Sequence, residues 1–164
     1  MPVHGDIDGL KKLADKIRQL TTSGFKADLA KELAKVAWAK TLEGFDKSVD
    51  PYGVPWRPLS WRRGTPLHDS GQMIQSVSAE PTENGVRVRI GTVYAQFHQS
   101  GGHVRRGALA ARTSGPAHRS RGRVGYLPRR QMLPDRAGGL GPIWTKAFND
   151  AAAALIRRRL GRAA

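Results

Sequence analysis

Residues 104–130 carry eight arginines and neither aspartate nor glutamate, spaced by glycine, serine, alanine and proline. A stretch so charged and so poor in large apolar side chains cannot bury enough surface to offset the entropy of ordering it. The core must therefore be assembled from the chain on either side, and the stretch reads as a long basic loop within an arm over 101–134. The imbalance reaches further. Residues 51–134 hold thirteen Arg and no Lys against Asp69, Glu80 and Glu83, a local balance near +10 in a chain of 164 residues and net charge +15. Residues 1–50 instead mix Lys with Asp and Glu, as a solvated helical surface does. Arginine's planar fork pairs bidentately with carboxylate or phosphate. Arg105, Arg106, Arg112, Arg119, Arg121, Arg123, Arg129 and Arg130 are thus candidate contacts with an acidic protein surface or with nucleic acid. A bare solvated excursion is the other reading of the same composition.

On the flanks, apolar periodicity predicts the elements. Leu10, Leu13, Ile17 and Leu20 fall at spacings of three and four and predict a helix over 8–20; Thr21 to Gly24 reads as a break. A second helix over 27–47 places Leu29, Leu33, Val36 and Lys40 on one face, with Ala30, Ala34 and Ala37 beside it to allow close approach. Residues 70–77 read as a short helix entered through Asp69 or Ser70, whose oxygens can accept first-turn amides, with Met73, Ile74 and Val77 inward. Glu83-Asn84-Gly85 is a turn signal, and the alternation Val86-Arg87-Val88-Arg89-Ile90 is that of a half-buried strand whose partner is residues 75–81. A last helix over 141–159 has Pro142 in its first turn and Ile143, Ala147, Ala151, Ala154 and Leu155 on one stripe. Arg157 to Arg159 end it, complementing the helix dipole. Gly138 to Gly141 before it read as a flexible linker.

These elements predict an α+β fold: a small antiparallel sheet flanked by N-terminal and C-terminal helices, with a long basic loop insertion. The length suits one domain over 1–164, divided into a helical part (1–48), a motif-bearing core (49–100), the Arg-rich arm (101–134) and a C-terminal helix (141–160).

Within the core, Asp50-Pro51-Tyr52-Gly53-Val54-Pro55-Trp56 is a turn followed by an anchor. Asp and Pro open turns, Gly53 can take a positive φ, and Pro55 holds the approach to Trp56 extended. Trp56 then has a large apolar body to bury, and Trp61 remains for a neighbour. Further on come Leu67-His68-Asp69-Ser70-Gly71-Gln72-Met73-Ile74, Tyr94-Ala95-Gln96-Phe97-His98-Gln99 and Leu127-Pro128-Arg129-Arg130-Gln131-Met132-Leu133-Pro134. This order resembles the virion-morphogenesis, or tail-completion, proteins of long-tailed bacteriophages, whose pattern runs DPxGxPWxPL, LxxSGxLxxSI, YAxxHQxG and a PxRxFL-like element. Here Arg130-Gln131-Met132 replaces the aromatic that follows the Arg in that last element. The resemblance implies structural roles for Asp50, Pro51, Gly53, Pro55, Trp56, Ser70 and Gly71, and implies that Tyr94, His98 and Gln99 fix the junction between sheet and arm.

Chemistry is sparsely provided for. His98 has no carboxylate near it in sequence, and nothing marks a nucleophile, so no catalytic residue is assigned. The five histidines, without cysteine or clustered acids, offer no metal set; Gly138 to Gly141 lack the flanks of a phosphate loop, so no cofactor is expected. Zero cysteines exclude a disulfide scaffold, and nothing near the start has the apolar run of a signal or span, so no membrane partner is expected.

The resemblance implies a non-enzymatic structural protein of the phage neck or head-proximal tail end, assembled in the host cytoplasm and resident in the virion. It further implies a homo-oligomer, a hexameric ring that completes the tail tube and meets the head connector around the DNA channel, where genomic DNA could be touched nonspecifically. Charge alone favours a different class, a basic nucleic-acid-binding protein that uses the Arg-rich loop as a phosphate clamp. Against it stands the scarcity of aromatics for stacking, Tyr126 being the only one in residues 104–130.

Overall fold

The computed structural model describes residues 15, 18, 23–59, 63–105 and 124–161. Of the helix expected over 8–20, only Asp15 and Arg18 are among them; both are helical, joined by an exposed ion pair at 3.5 Å. In chain order the elements are α1 (Ser23–Lys47), α2 (Gln72–Gln75), β1 (Val77–Thr82), β2 (Gly85–Ile90), α3 (Ala95–Ser100), β3 (Gly102–Arg105), β4 (Val124–Leu127) and α4 (Gly141–Gly161). The fold is α+β, as expected, with helices toward both ends and small antiparallel sheets between them. Among the described residues there are two sheets of two strands, β1 with β2 and β3 with β4.

Contacts group the chain into two compact units. One comprises residues 1–40, 78–89 and 142–164; the other comprises 41–77 and 90–141. Helix α1 thus contributes its first part to one and its last turns to the other.

In the first unit, α1 begins at Ser23 and includes Gly24, the last two residues of the segment read as a break. Its buried positions are Phe25, Ala30, Ala34 and Ala37, and Leu29, Leu33, Val36 and Lys40 are only half-buried flanks. The alanines, and not the larger residues, centre the face, because a methyl side chain allows the closest approach of whatever lies above it. On α4 the expected stripe holds in part. Trp144 and Leu155 are buried and Ala147, Phe148 and Ala151 half-buried, whereas Ile143 and Ala154 of the expected stripe are exposed. Trp144 meets Phe148 edge-on, one turn along, with ring centroids 5.9 Å apart. On the hairpin, Val86, Val88 and Ile90 are half-buried and Arg87 and Arg89 exposed, as the alternation predicts. The last turn of α4 is tied to the start of α1 by Arg159 with Asp28 and by Arg158 with Glu32 at 3.9 Å. These charges flank an open groove of about 830 Å³, lined in part by Trp38, Ala79, Pro81 and Leu155.

In the second unit, Phe45, Trp56, Met73, Val77, Ala95 and Met132 form one buried cluster, edged by Leu42, Leu67, Ile74 and Ile90. Phe45 meets Trp56 edge-to-face at 5.6 Å, a geometry aromatic quadrupoles favour. Helix α2 is shorter than expected and is entered differently. Gly71, at φ +71°, caps it through backbone geometry, and Ser70 Oγ reaches only 3.5 Å from the Gln72 amide. Met73 and Val77 are nonetheless buried, with Ile74 packed beside them. The arm is not loop throughout. Its two ends pair as an antiparallel ribbon, Gly102 opposite Leu127 and Arg105 opposite Val124.

Candidate assembly site

The four sequence motifs meet in the second unit. The first builds a tight turn: Asp50 Oδ1 accepts the amides of Tyr52 (2.9 Å) and Val54 (2.8 Å), while the Asp50 amide donates to the Val54 carbonyl at 2.9 Å. Gly53 takes φ +89°, and Pro51 is buried at the corner. Val49 then bridges Pro55, and the Trp56 amide donates to the Ser48 carbonyl at 2.7 Å. The turn thereby delivers Trp56 inward, 6% exposed, where its indole N–H donates to the Gln131 carbonyl at 2.9 Å.

Gln131 belongs to the fourth motif, and the third motif holds that segment from its other side. Gln99 Oε1 accepts the amides of Met132 (2.8 Å) and Leu133 (3.1 Å), and its Nε2 donates to the Leu133 carbonyl at 2.7 Å. One amide side chain thus satisfies three backbone groups, as a neighbouring strand would. The His98 carbonyl accepts the Arg130 amide at 2.8 Å, and Gly101 packs so closely that a Cβ there would lie 2.8 Å from the Arg129 amide nitrogen. Gly101 also holds φ +67°, so it is required twice over.

The arginines of the arm divide. Arg130 is only 1% exposed, and its guanidinium donates through Nε (3.2 Å) and a terminal nitrogen (3.0 Å) to the Arg57 carbonyl. Composition grouped it with outward contacts; in the fold it is a buried strut joining the first motif to the fourth. Burial, and then the nearby Arg57 charge, hold its pKa below the usual arginine value. Arg129 is half exposed and bonds Asp135 (2.7 Å), the Gln131 side chain and the Gln99 carbonyl. Arg105 lies in β3, while Arg106, Arg112, Arg119, Arg121 and Arg123 lie outside the described residues, as does Trp61.

Two histidines and a tyrosine complete the surroundings. His68 Nε2 stands 3.0 Å from the Phe45 carbonyl. His98 has its Nδ1 buried with no hydrogen-bond partner among the described residues; burial first and the Arg130 charge second keep its pKa below the ordinary value. Tyr94 is partly exposed and meets the His98 ring edge-on at 6.3 Å. Asp69 and Ser70 are exposed.

Sequence reading missed Tyr52. Its hydroxyl donates to the Gly139 carbonyl at 3.0 Å and accepts the Asp135 amide at 3.3 Å. A Cβ on Gly138 would lie 2.3 Å from that hydroxyl, and one on Gly141 2.8 Å from the ring. The glycines read as a linker are therefore a fitted cradle. Asp135 closes it by accepting the Gly138 amide at 2.6 Å; that bond, and then the Arg129 side chain, hold its carboxyl below the ordinary carboxylate value.

Among the described residues there is no group of three or more His, Cys, Asp or Glu placed to hold a metal, and no helix is long and apolar enough to cross a membrane. What the arrangement can do is mechanical: it fixes three chain segments against one another at the root of the β3–β4 ribbon. The phage virion morphogenesis family matches residues 6–155, the four motifs included. The chain belongs to this family. It is also similar to Mu-like prophage FluMu G protein 2 of Haemophilus influenzae (strain ATCC 51907 / DSM 11121 / KW20 / Rd), 26% identical over 107 residues that cover 65% of this chain and 75% of that protein. No solved structure matches significantly.

Proposed function

We propose that this virion morphogenesis protein acts at the head-proximal end of the tail or in the neck, as a hexameric ring that completes the tail tube and joins it to the head connector around the DNA channel. Its contribution is structural and not enzymatic. The observation that supports this best is the locked frame at the root of the arm. Trp56, Gln99 and Arg130 bond together the chain segments next to the β3–β4 ribbon, whose two strands flank residues 106–123 in sequence. Ring closure with cyclic symmetry needs one patch of a subunit to meet a different patch on the next, and a long basic arm on a fixed base serves that geometry. Arginines facing carboxylates of the next copy, or DNA phosphates in the lumen, would supply the contact.

Light scattering on the purified chain, at low and high salt and with or without short duplex DNA, tests it. A DNA-independent species at a multiple of 17.9 kDa is expected. Replacing residues 106–123 by a short turn that preserves the ribbon should abolish both ring formation and head–tail joining in particle assembly. A shortened variant that still does both overturns the role given to the arm. A monomer that gains mass only with DNA and only at low salt would instead mark a phosphate clamp, whose binding weakens steeply as salt releases the advantage of displaced counterions.

A further inference from the structure

We propose that His98 is an acid-sensitive latch on the segment from Arg129 to Leu133: neutral, it lets α3 hold that segment, and on protonation it releases it. The geometry is a buried ring nitrogen beside a cation. His98 presents an Nδ1 that is buried and unpartnered among the described residues. The Arg130 guanidinium, 1% exposed, stands close enough to oppose a second positive charge, and its donors go to a carbonyl, that of Arg57. From the cap of α3 the facing ionisable group is Tyr94, edge-on to the imidazole. From the segment it is Arg130, on which the Arg57 charge acts in turn. Asp135, the acid of that segment, is taken up by Arg129 and the Gly138 amide.

A neutral imidazole can leave one nitrogen without a partner at modest cost. Protonation turns Nδ1 into a charged donor with nothing to accept its hydrogen, beside a fixed cation, in a site of low polarity. The main chain of His98 is part of the latch, because its carbonyl takes the Arg130 amide, and the next residue, Gln99, holds Met132 and Leu133. Moving the ring outward to water therefore pulls on these bonds together.

The sign follows from linkage. A histidine whose folded pKa lies below its value of 6.5 in the open chain binds protons more readily when the frame is open. The frame's stability is then complete above about pH 7 and falls as pH drops through 6.5 and on through the folded value. The experiment is amide hydrogen exchange of Arg130, Met132 and Leu133 from pH 7.5 to 5.0, corrected for intrinsic rates, alongside an NMR titration of His98 in the whole chain. We expect a His98 midpoint below 6.5, a loss of protection of at least tenfold across it, and no such loss in His98→Gln. A midpoint at or above 6.5, or protection that stays flat through the titration, overturns the latch. The same pH dependence persisting in H98Q also overturns it, since His68 or another group would then be responsible. If H98Q does not fold, the two wild-type measurements still decide.

Discussion

Around Trp56 the contacts are directional, with indole N–H to carbonyl, side-chain amide to three backbone groups, and guanidinium to carbonyl. Along α1 between Phe25 and Ala37, and along α4, close packing stands out instead: alanines and a few aromatics sit in a buried stripe, with ion pairs at the exposed rim. Directional bonding needs a given residue type at a given place, so it leaves motifs in the sequence. Close packing by small residues needs only a period and a size limit. The two regions should accordingly fail in different ways when altered.

The largest expected effect belongs to the directional region. Trp56→Ala removes the centre of the second unit's cluster and orphans the Gln131 carbonyl, and should cost about 3–5 kcal/mol in urea unfolding. Trp56→Phe keeps an aromatic body and loses only the N–H, so it should recover most of that, falling short of wild type by about 1–2 kcal/mol. A Phe variant as unstable as the Ala one would mean that the hydrogen bond, not the ring, carries the anchor. A Phe variant equal to wild type would mean that the directional contact is incidental and the comparison between the regions is false.

How much of this was legible beforehand follows the same division. The turn at Asp50 and the burial of Trp56 are visible because Asp, Gly and Trp are there for atoms and shapes that few other residues supply, whereas a place for Gln99 at the root of the arm is implied by the family resemblance. The hairpin of β1 and β2 is visible from alternation and its Glu83-Asn84-Gly85 turn. The buried face of α1 is displaced from the expected one by one position, since Leu29 and Leu33 dominate any apolar pattern while alanines occupy the closest approach; on α4 Ala147, Ala151 and Leu155 keep to the expected stripe, but Trp144 is buried where Ile143 was expected. The β3–β4 ribbon is invisible, because four-residue strands separated by eighteen residues leave neither a period nor a turn signal. Arg130 could not be told from its exposed neighbours, as its burial is set by a carbonyl seventy-three positions away. A glycine used for its missing Cβ, as at Gly138 and Gly141 against Tyr52, looks in sequence like one used for flexibility.

The packed region offers the next test. Ala37 is fully buried on α1, so Ala37→Leu should overpack and cost about 1–3 kcal/mol. Ala39→Leu, exposed two residues on, should change stability by less than about 0.5 kcal/mol. Both are read as shifts of the urea midpoint. If Ala37→Leu is also neutral, the alanine stripe is loosely covered and small size is not what that face selects.

The smallest effect is expected at the rim. Arg159 and Asp28 form an ion pair between side chains that remain 50% and 38% exposed, and exposed pairs contribute about 0–1 kcal/mol. Arg159 also stands in the last turn of α4, where a cation is favoured by the helix dipole. The double-mutant cycle with Arg159→Ala and Asp28→Ala separates the two: Asp28→Ala leaves the dipole term intact, so only the coupling energy measures the pair. That coupling should be below about 1 kcal/mol at low salt and vanish as ionic strength approaches about 1 M, where the screening length falls to about 3 Å. A salt-resistant coupling of about 2 kcal/mol or more would show the pair acting as a directional contact in its own right, so that packing alone does not hold the first unit and the division between the regions fails where it was expected to be plainest.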